Sequence, residues 1–233
     1  FNLSPLKDAD QKAQGVAIVL DDLTEQRQLK AQRRLFEKMV SPKVIDQLDP
    51  DEIALGGEKR EITTMFADLR GFTHFSENTP PEELISILNQ YISIFVDAAL
   101  ENEGTVDKIM GDEVMSWFNA PLPQPDHALR SIRSALKIRQ DFQKIHAELP
   151  EHQHLSFGIG IHHGPAILGL VGCEDMVNFT AIGDSVNTTK RIQQNAKPGQ
   201  ILLSETAYQQ LAALIEVREV DPFMVKGKTK PLS

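Results

Sequence analysis

The chain has 233 residues, of which 41% are hydrophobic, which suits one globular domain of ordinary size with an additional segment. Its formal net charge of −9 argues against nucleic acid as a partner. A single cysteine, Cys173, excludes an internal disulfide framework, fits a reducing compartment and is expected to be a small packed residue.

No apolar run in the sequence approaches membrane-spanning length, and no signal peptide is visible. Because the chain starts at Phe1 without a methionine, we expect it to be a fragment of a longer protein. Whether a membrane segment precedes it stays open.

Residues 1–22 contain one clear strand pattern, the apolar run 15–20 followed by Asp21 and Asp22. Only weak candidates for a hairpin partner are present. The stretch GVAIVLDDLTEQ resembles the last strand and exit of a PAS sensor domain, and an extra edge strand of the main domain is an equally good interpretation. Since one strand cannot make a sensor, most of such a sensor domain would lie upstream.

Residues 23–48 are helical in character, with Asp22 or Thr24 as the cap. Ser41-Pro42 interrupts the helix, and Pro42 takes a first-turn position in a second short helix over 43–48. The apolar stripe on this segment is too short to distinguish a coiled coil from a helix packed on its own domain.

From residue 61 onward, long helical patterns alternate with hairpin patterns, which predicts an α+β fold with an antiparallel sheet. Asp126 is expected to cap a helix, and the adjacent His162 and His163 are expected at a strand end and turn, facing opposite sides. The expected strands are 62–69, a hairpin over 104–118, 155–162, 166–171, 179–182 and 200–203. The expected helices are 80–101, 126–149, 184–195 and 204–211, followed by a tail that ends in a turn at 226–228.

Two aspartates stand in matching contexts. Asp68 follows an apolar run in FADLRGFT, and Asp112 lies at the Gly111-Asp112 turn of the hairpin. The two carboxylates converge on one point if the strands that carry them are neighbours. Oxygen ligands arranged in this way suit hard divalent cations, and two such cations suit phosphoryl chemistry. An ordinary turn aspartate is the alternative for Asp112, whereas a carboxylate that ends an apolar strand is costly without a partner.

The segments FADLRGFT, KIMGD and FTAIGDSVNTTKR, with a terminal VKGK, together resemble the catalytic domain of the class III nucleotidyl cyclases, the adenylyl and guanylyl cyclases. The resemblance runs from about residue 56 to residue 230. It implies a ferredoxin-like βαββαβ core with flanking helices. It also implies conversion of ATP, the substrate, to cyclic 3′,5′-AMP and pyrophosphate with two divalent cations, Mg²⁺ or Mn²⁺.

The resemblance assigns the metal and base sites residue by residue. Asp68, Asp112 and the carbonyl of Leu69 would hold the cations. Lys108 and Thr180 would read the base, and lysine at the first position matches the adenine-specific members, whereas guanylyl cyclases carry glutamate there. Many adenylyl cyclases have aspartate at the second position, so Thr180 is a departure, although its hydroxyl can accept from the adenine amino group. A surface lysine and an ordinary strand threonine are the alternatives.

Asn187 and Arg191 are four residues apart in a predicted helix and therefore share one face. The resemblance gives them the catalytic roles: Asn187 orients the ribose, and Arg191 stabilises charge on the α-phosphate. An exposed polar helix face is the alternative. Arg70 either contacts the triphosphate or is a solvated charge. The remaining phosphate-binding candidates are the helix start at Gly71, Phe72 and Thr73 and the lysine Lys226.

The family's site is built across a dimer, and this chain carries both halves of it, so the resemblance implies a homodimer with two sites. It also implies a cytoplasmic catalytic domain over 56–233, joined by a helical linker over 23–55 to an upstream sensor that ends within 1–22.

Four other functions compete with adenylyl cyclase. A guanylyl cyclase is disfavoured by Lys108, and a diguanylate cyclase by the absence of a GGDEF-type turn. A catalytically dead cyclase-like domain that senses nucleotides or promotes dimerisation is the alternative from a different class. A purely structural domain would require three motifs to stand in order by chance.

Overall fold

The computed structural model describes residues 2–7, 13–19, 56–173 and 176–223. The chain divides into two units, Phe1–Val40 and Ser41–Ser233. In the first unit, strands β1 (Asn2–Lys7) and β2 (Ala13–Val19) pair antiparallel in a sheet of their own. The expectation that the strand near residue 15 has no clear hairpin partner was therefore wrong, and so was the interpretation of it as an edge strand of the main sheet.

The helical linker proposed for 23–55 lies outside the described residues. The PAS-like assignment of 1–22 and the domain limits stay predictions.

The second unit follows the predicted order of strands and helices closely, and its α+β class is confirmed. Its elements are β3 (Gly56–Arg70), α1 (Phe72–Asn78), α2 (Pro81–Glu101), β4 (Thr105–Met110), β5 (Glu113–Phe118), α3 (His127–Glu148), a 3-10 turn (Glu151–Gln153), β6 (Ser156–Cys173), β7 (Met176–Ile182), α4 (Asp184–Asn195), β8 (Gln200–Leu203) and α5 (Glu205–Gln209).

The main sheet has six strands in the order β4-β5-β3-β6-β7, with β8 added parallel to β6. The other pairings are antiparallel. The run β3-α2-β4-β5-α3-β6 gives the spatial order β6-β3-β5-β4, which is the ferredoxin-like arrangement. The β4–β5 hairpin turns at Gly111, whose φ of 66° lies in the left-handed region that favours glycine.

Alternation along β3 divides the core between the two faces of the sheet. Met65, Ala67 and Leu69 belong to the larger cluster with α2 and α3, whereas Ile62 and Phe66 belong to a second cluster that includes residues of β5, β6, β7 and α4. Since Asp68 alternates with Leu69, its side chain falls on the same face as Phe66, where α4 packs.

Strand β6 is one continuous strand of 18 residues, not two strands separated by a turn at His162 and His163. Residues 158–161 pair with β8, and residues 167–173 pair with β7. Between these stretches the strand keeps β3 as its neighbour. Pro165 therefore lies where β6 has a described strand partner on one side only, a position at which a sheet tolerates proline.

Two smaller expectations were also wrong. Asp126 stands at the start of α3 but makes no side-chain cap bond; its carboxylate accepts from Arg130 instead, at 2.6 Å. Cys173 is exposed, not packed. Among the described residues, helix α2 is long and apolar enough to cross a membrane by length and composition alone. Its buried residues, such as Tyr91 and Phe95, pack in the larger core cluster.

Candidate active site

The end of β3 and the tip of the β4–β5 hairpin are joined by the main chain. The N–H of Leu69 donates to the carbonyl oxygen of Asp112 at 3.2 Å, and Asp68 stands opposite Glu113 in the ladder. The structure therefore brings Asp68 and Asp112 to one place, as the sequence predicted. Burial, followed by the nearby negative charge of Asp112, raises the pKa of Asp68 above its ordinary value.

Two side chains hold the Asp68 carboxylate in a fixed orientation. Arg70 Nη1 donates to Asp68 Oδ2 at 2.7 Å, and Gln193 Nε2 donates to the same oxygen at 2.8 Å. Arg70 also donates through Nη2 to the carbonyl oxygen of Gln193. Gly158 leaves space for the guanidinium, because a Cβ there would lie 2.4 Å from Arg70 Nε. Arg70 is thus not a solvated charge; it anchors Asp68 to α4.

Glu113 adds a third carboxylate beside the two aspartates. It is only 4% exposed, and Lys190 of α4 pairs with its Oε2. Burial raises the pKa of Glu113, the bond and charge of Lys190 lower it, and the charges of Asp68 and Asp112 raise it further. The Lys190 ammonium also lies over the Phe66 ring, 5.7 Å from its centroid.

The charge balance and donor chemistry of this cluster fit a divalent cation. Three carboxylates face two cationic side chains, Arg70 and Lys190. Among the described residues, both hydrogen bonds to the Asp68 carboxylate are made to Oδ2, so Oδ1 is left for a cation. The same part of the chain has no group of three or more acid, imidazole or thiol side chains arranged as a complete metal cage. Two carboxylates completed by other oxygens is the arrangement that Mg²⁺ commonly uses.

The two residues predicted to read the base lie next to each other. Lys108 Nζ donates to Thr180 Oγ1 at 3.1 Å, which links β4 to β7, the first and last strands in the order β4-β5-β3-β6-β7. Asp107, which the sequence analysis did not select, contacts both: it accepts from Thr180 Oγ1 at 2.9 Å and pairs with Lys108 Nζ at 3.2 Å. The ladder register shifts between Val106 and Lys108, and this bulge lets consecutive residues reach the same partner.

Among the described contacts, neither Asn187 nor Arg191 reaches the aspartates. Asn187 is exposed, and Arg191 Nη1 donates to Gln194 within its own helix at 2.9 Å. The residues of α4 that reach the aspartate cluster are Lys190 and Gln193. Within one chain, the described contacts thus leave the two predicted catalytic residues apart from the predicted metal ligands.

The predicted phosphate-binding turn has the expected backbone. Gly71 has a φ of 85°, and helix α1 begins directly after it at Phe72, with Thr73 exposed. A Cβ at Gly71 would meet no atom within 4 Å, so the turn is open to its surroundings. Lys226 lies outside the described residues.

The model of the adenylate and guanylate cyclase catalytic domain matches residues 57–233. The chain belongs to this family. The match covers both aspartates, the Lys108–Thr180 pair and helix α4.

Known cyclases of both kinds are similar to this cyclase domain. Adenylate cyclase 1 of Rhizobium meliloti (strain 1021) is 30% identical over 181 residues, which is 75% of this chain and 27% of that protein. The crystal structure of the adenylyl cyclase CyaB from P. aeruginosa has a TM-score of 0.72 at 30% identity and covers 76% of this chain and 93% of that one. The crystal structure of the guanylyl cyclase Cya2 has a TM-score of 0.71 at 32% identity and covers 76% of this chain and 91% of that one. These similarities do not distinguish ATP from GTP.

Four residues that take part in the contacts described above could not be selected from the sequence motifs: Asp107, Glu113, Lys190 and Gln193. Each is a polar residue that the fold buries or half-buries. Gln193 becomes a candidate only once its burial is known, because a fully buried glutamine requires a partner. Asp107 carried no signal in the sequence, because its role depends on the bulge and on contact between distant strands.

Proposed function

We propose that this cyclase domain is an adenylyl cyclase, which converts ATP to cyclic 3′,5′-AMP and pyrophosphate. The observation that carries the choice of ATP is the contact of Lys108 with Thr180. An ammonium group only donates, and it suits adenine N1, which only accepts. Guanine presents a donor at N1 and would be repelled by the same ammonium. Guanylyl cyclase is the second candidate, because the similarity to Cya2 is as strong as that to CyaB.

The phosphates and the ribose are assigned to the chain's own polar groups. Asn187 orients the ribose, and Arg191 presents a planar guanidinium to the α-phosphate, where charge accumulates during the in-line displacement. The amides of Phe72 and Thr73 after Gly71, together with Lys226, hold the β- and γ-phosphates. Positioning and electrostatic stabilisation supply most of the acceleration.

Asp68, Asp112 and the carbonyl of Leu69 are the residues that would hold two divalent cations. Bound Mg²⁺ or Mn²⁺ would lower the pKa of the ribose 3′-hydroxyl and neutralise the triphosphate. Arg70 and Gln193 fix the orientation of Asp68 for this purpose.

We propose further that two copies of the chain form two sites, each with the aspartates of one copy and Lys108, Thr180, Asn187 and Arg191 of the other. The orientation of α4 supports this, since Lys190 and Gln193 reach the aspartates of their own chain while Asn187 is exposed. Apolar side chains that a partner would cover are exposed on β4, β6 and β7: Ile109, Met110, Ile167 and Ile182.

The position of the catalytic domain within a longer protein is part of the same proposal. The chain spans about a quarter of the length of the Rhizobium enzyme, which leaves room for further domains in a related protein. We propose that an upstream sensor acts through residues 23–55 on the geometry of both sites. The free, exposed thiol of Cys173 fits a cytoplasmic location.

The test is to incubate the protein with ATP, and separately with GTP, in the presence of Mg²⁺ or Mn²⁺, and to separate the products by chromatography. We expect cyclic AMP from the parent and a loss of at least about a hundredfold in rate for Asp112→Ala. Asp97→Ala, which removes an exposed carboxylate from α2, is the matched control and should leave the rate unchanged.

The remaining outcomes separate the alternatives. Cyclic GMP as the main product would overturn the assignment of ATP. No cyclic product at micromolar protein, combined with nucleotide binding by calorimetry, would favour a catalytically dead sensor domain.

A further inference from the structure

Asp107 is a buried carboxylate at the centre of the base-reading pair. Its side chain is 1% exposed. The same oxygen, Oδ2, accepts from the Thr180 hydroxyl at 2.9 Å and pairs with the Lys108 ammonium at 3.2 Å. Burial raises the pKa of Asp107, while the Thr180 bond and the Lys108 charge lower it. One oxygen that faces two donors is the arrangement of an ionised carboxylate.

These contacts fix the direction of every hydrogen bond in the group. An ammonium has no lone pair and an ionised carboxylate has no proton, so Lys108 can only donate and Asp107 can only accept. Thr180 lies between them, accepting from Lys108 and donating to Asp107. Its only proton is therefore committed, and one lone pair remains for a ligand. Lys108 has three protons, of which two are engaged, so one remains.

We propose that Asp107 is a positioning residue that determines base specificity by holding Thr180 as an acceptor. Without Asp107, the threonine hydroxyl can rotate and either donate or accept. With Asp107, the pair presents one acceptor and one donor to the base.

This fixed pattern matches adenine and conflicts with guanine. Adenine offers an amino group at C6 and an acceptor at N1, which pair with Thr180 and Lys108 respectively. In the same pose guanine offers an acceptor at C6 and a donor at N1. Acceptor would then face acceptor at Thr180, and donor would face donor at Lys108, and each unsatisfied group disfavours binding. This inference rests on the proposed adenylyl cyclase function and assigns its specificity to a third residue.

The test compares kcat/KM for ATP and GTP in the parent, Asp107→Ala, Thr180→Val and the double variant. We expect the ratio of kcat/KM for ATP to that for GTP to fall about tenfold or more in Asp107→Ala. The reason is that the Thr180 hydroxyl, no longer held by Asp107, can then donate to the acceptor at C6 of guanine. Since part of the effect of Asp107 acts through the Thr180 hydroxyl, the two substitutions should be non-additive in this ratio. Asp141→Ala removes a carboxylate that pairs with Lys137 and Lys144 on α3, and it is the control that should leave the ratio unchanged.

Calorimetry with 3′-deoxy-ATP and 3′-deoxy-GTP, which lack the attacking hydroxyl, gives a second ratio, that of the two binding constants, which does not depend on turnover. A parent that makes no cyclic nucleotide would refute the proposed function, and the binding ratio would still decide the role of Asp107. A parent that prefers GTP would overturn both proposals. An equal loss of activity towards ATP and GTP in Asp107→Ala, or additive effects in the cycle, would make Asp107 a merely structural residue and overturn this inference alone.

Discussion

The orientation of Asp68 depends on the side chains that bond to its carboxylate. Gln193 is fully buried, and its amide nitrogen donates to Asp68 Oδ2. The Oε1 atom of the same side chain has no hydrogen-bond partner among the described residues, which means that the glutamine is retained at a cost. Its one bond to Asp68 is the compensating interaction.

We therefore expect Gln193→Met, which keeps a similar volume, to weaken the apparent affinity for Mg²⁺ by roughly ten- to a hundredfold. The loss arises because Asp68 is then held by Arg70 alone. A titration of cyclisation rate against Mg²⁺ measures it. Gln209→Met changes an exposed glutamine on α5 and should leave the Mg²⁺ dependence unaltered. A Gln193→Met enzyme with the parent's Mg²⁺ curve would mean that this bond does not support the metal site.

At this scale the sequence predicted the residues that stand in recognisable motifs and missed those that support them. Asp68 and Asp112 could be paired because each ends an apolar run, and a strand end and a hairpin tip meet in an antiparallel sheet. Asp107 precedes Lys108 in the chain, but ordinary alternation places consecutive strand residues on opposite faces. Only the bulge after Val106 brings both to Thr180, and no local pattern indicates that bulge.

Among the elements, helix α4 is the part that connects the pieces of the site. Its inner residues hold Asp68 and Glu113, and its outer residues include Asn187 and Arg191. The helix lies against β6 where the strand has no side chain, at Gly160. A Cβ at this glycine would be 2.3 Å from the backbone nitrogen of Gln193, a distance that forces the helix to move.

We expect Gly160→Ala to lower the free energy of unfolding by about 1–3 kcal/mol, because the added methyl group overpacks a backbone contact. The cyclisation rate should fall by more than this loss of stability explains, since every residue of α4 is displaced together. Thermal unfolding and cyclisation rate measure the two effects. Ser93→Ala, at an exposed position of α2, is the control and should change neither measurement. Equal effects of the two substitutions would contradict a special role for the α4–β6 contact.

The limits of α4 and β8 could be predicted to the residue because both elements have clear ends: Gly183 precedes α4, and Gly199 and Ser204 flank β8. Strand β6 could not, because Gly164-Pro165 is a turn signal in isolation. The signal was overridden by fifteen residues of pairing with β3. Tertiary pairing of this kind is not visible in a local window of sequence.

At the scale of the whole molecule, the main question is whether one chain contains a complete site. The described contacts connect Asp68 to Gln193 and Lys108 to Thr180. They do not connect Arg191 to the aspartates; its guanidinium donates to Gln194 instead. Exposed apolar side chains at Ile167 and Ile182, which are paired in the ladder, provide a surface that a second copy would cover.

Mixing two inactive variants tests this arrangement directly. Asp112→Ala lacks a metal ligand and Arg191→Ala lacks the α-phosphate contact, so each should be nearly inactive alone. In a mixed dimer, one site combines both defects, whereas the other takes Asp112 from one chain and Arg191 from the other and is intact. Random exchange at equal concentrations should restore up to about a quarter of the parent rate, since half of the dimers are mixed and each has one intact site of two. Two different substitutions within the aspartate half, Asp68→Ala mixed with Asp112→Ala, should restore nothing, because every site then lacks one metal ligand. If the first mixture stays inactive although exchange of labelled chains is complete, the two halves of the site come from a single chain.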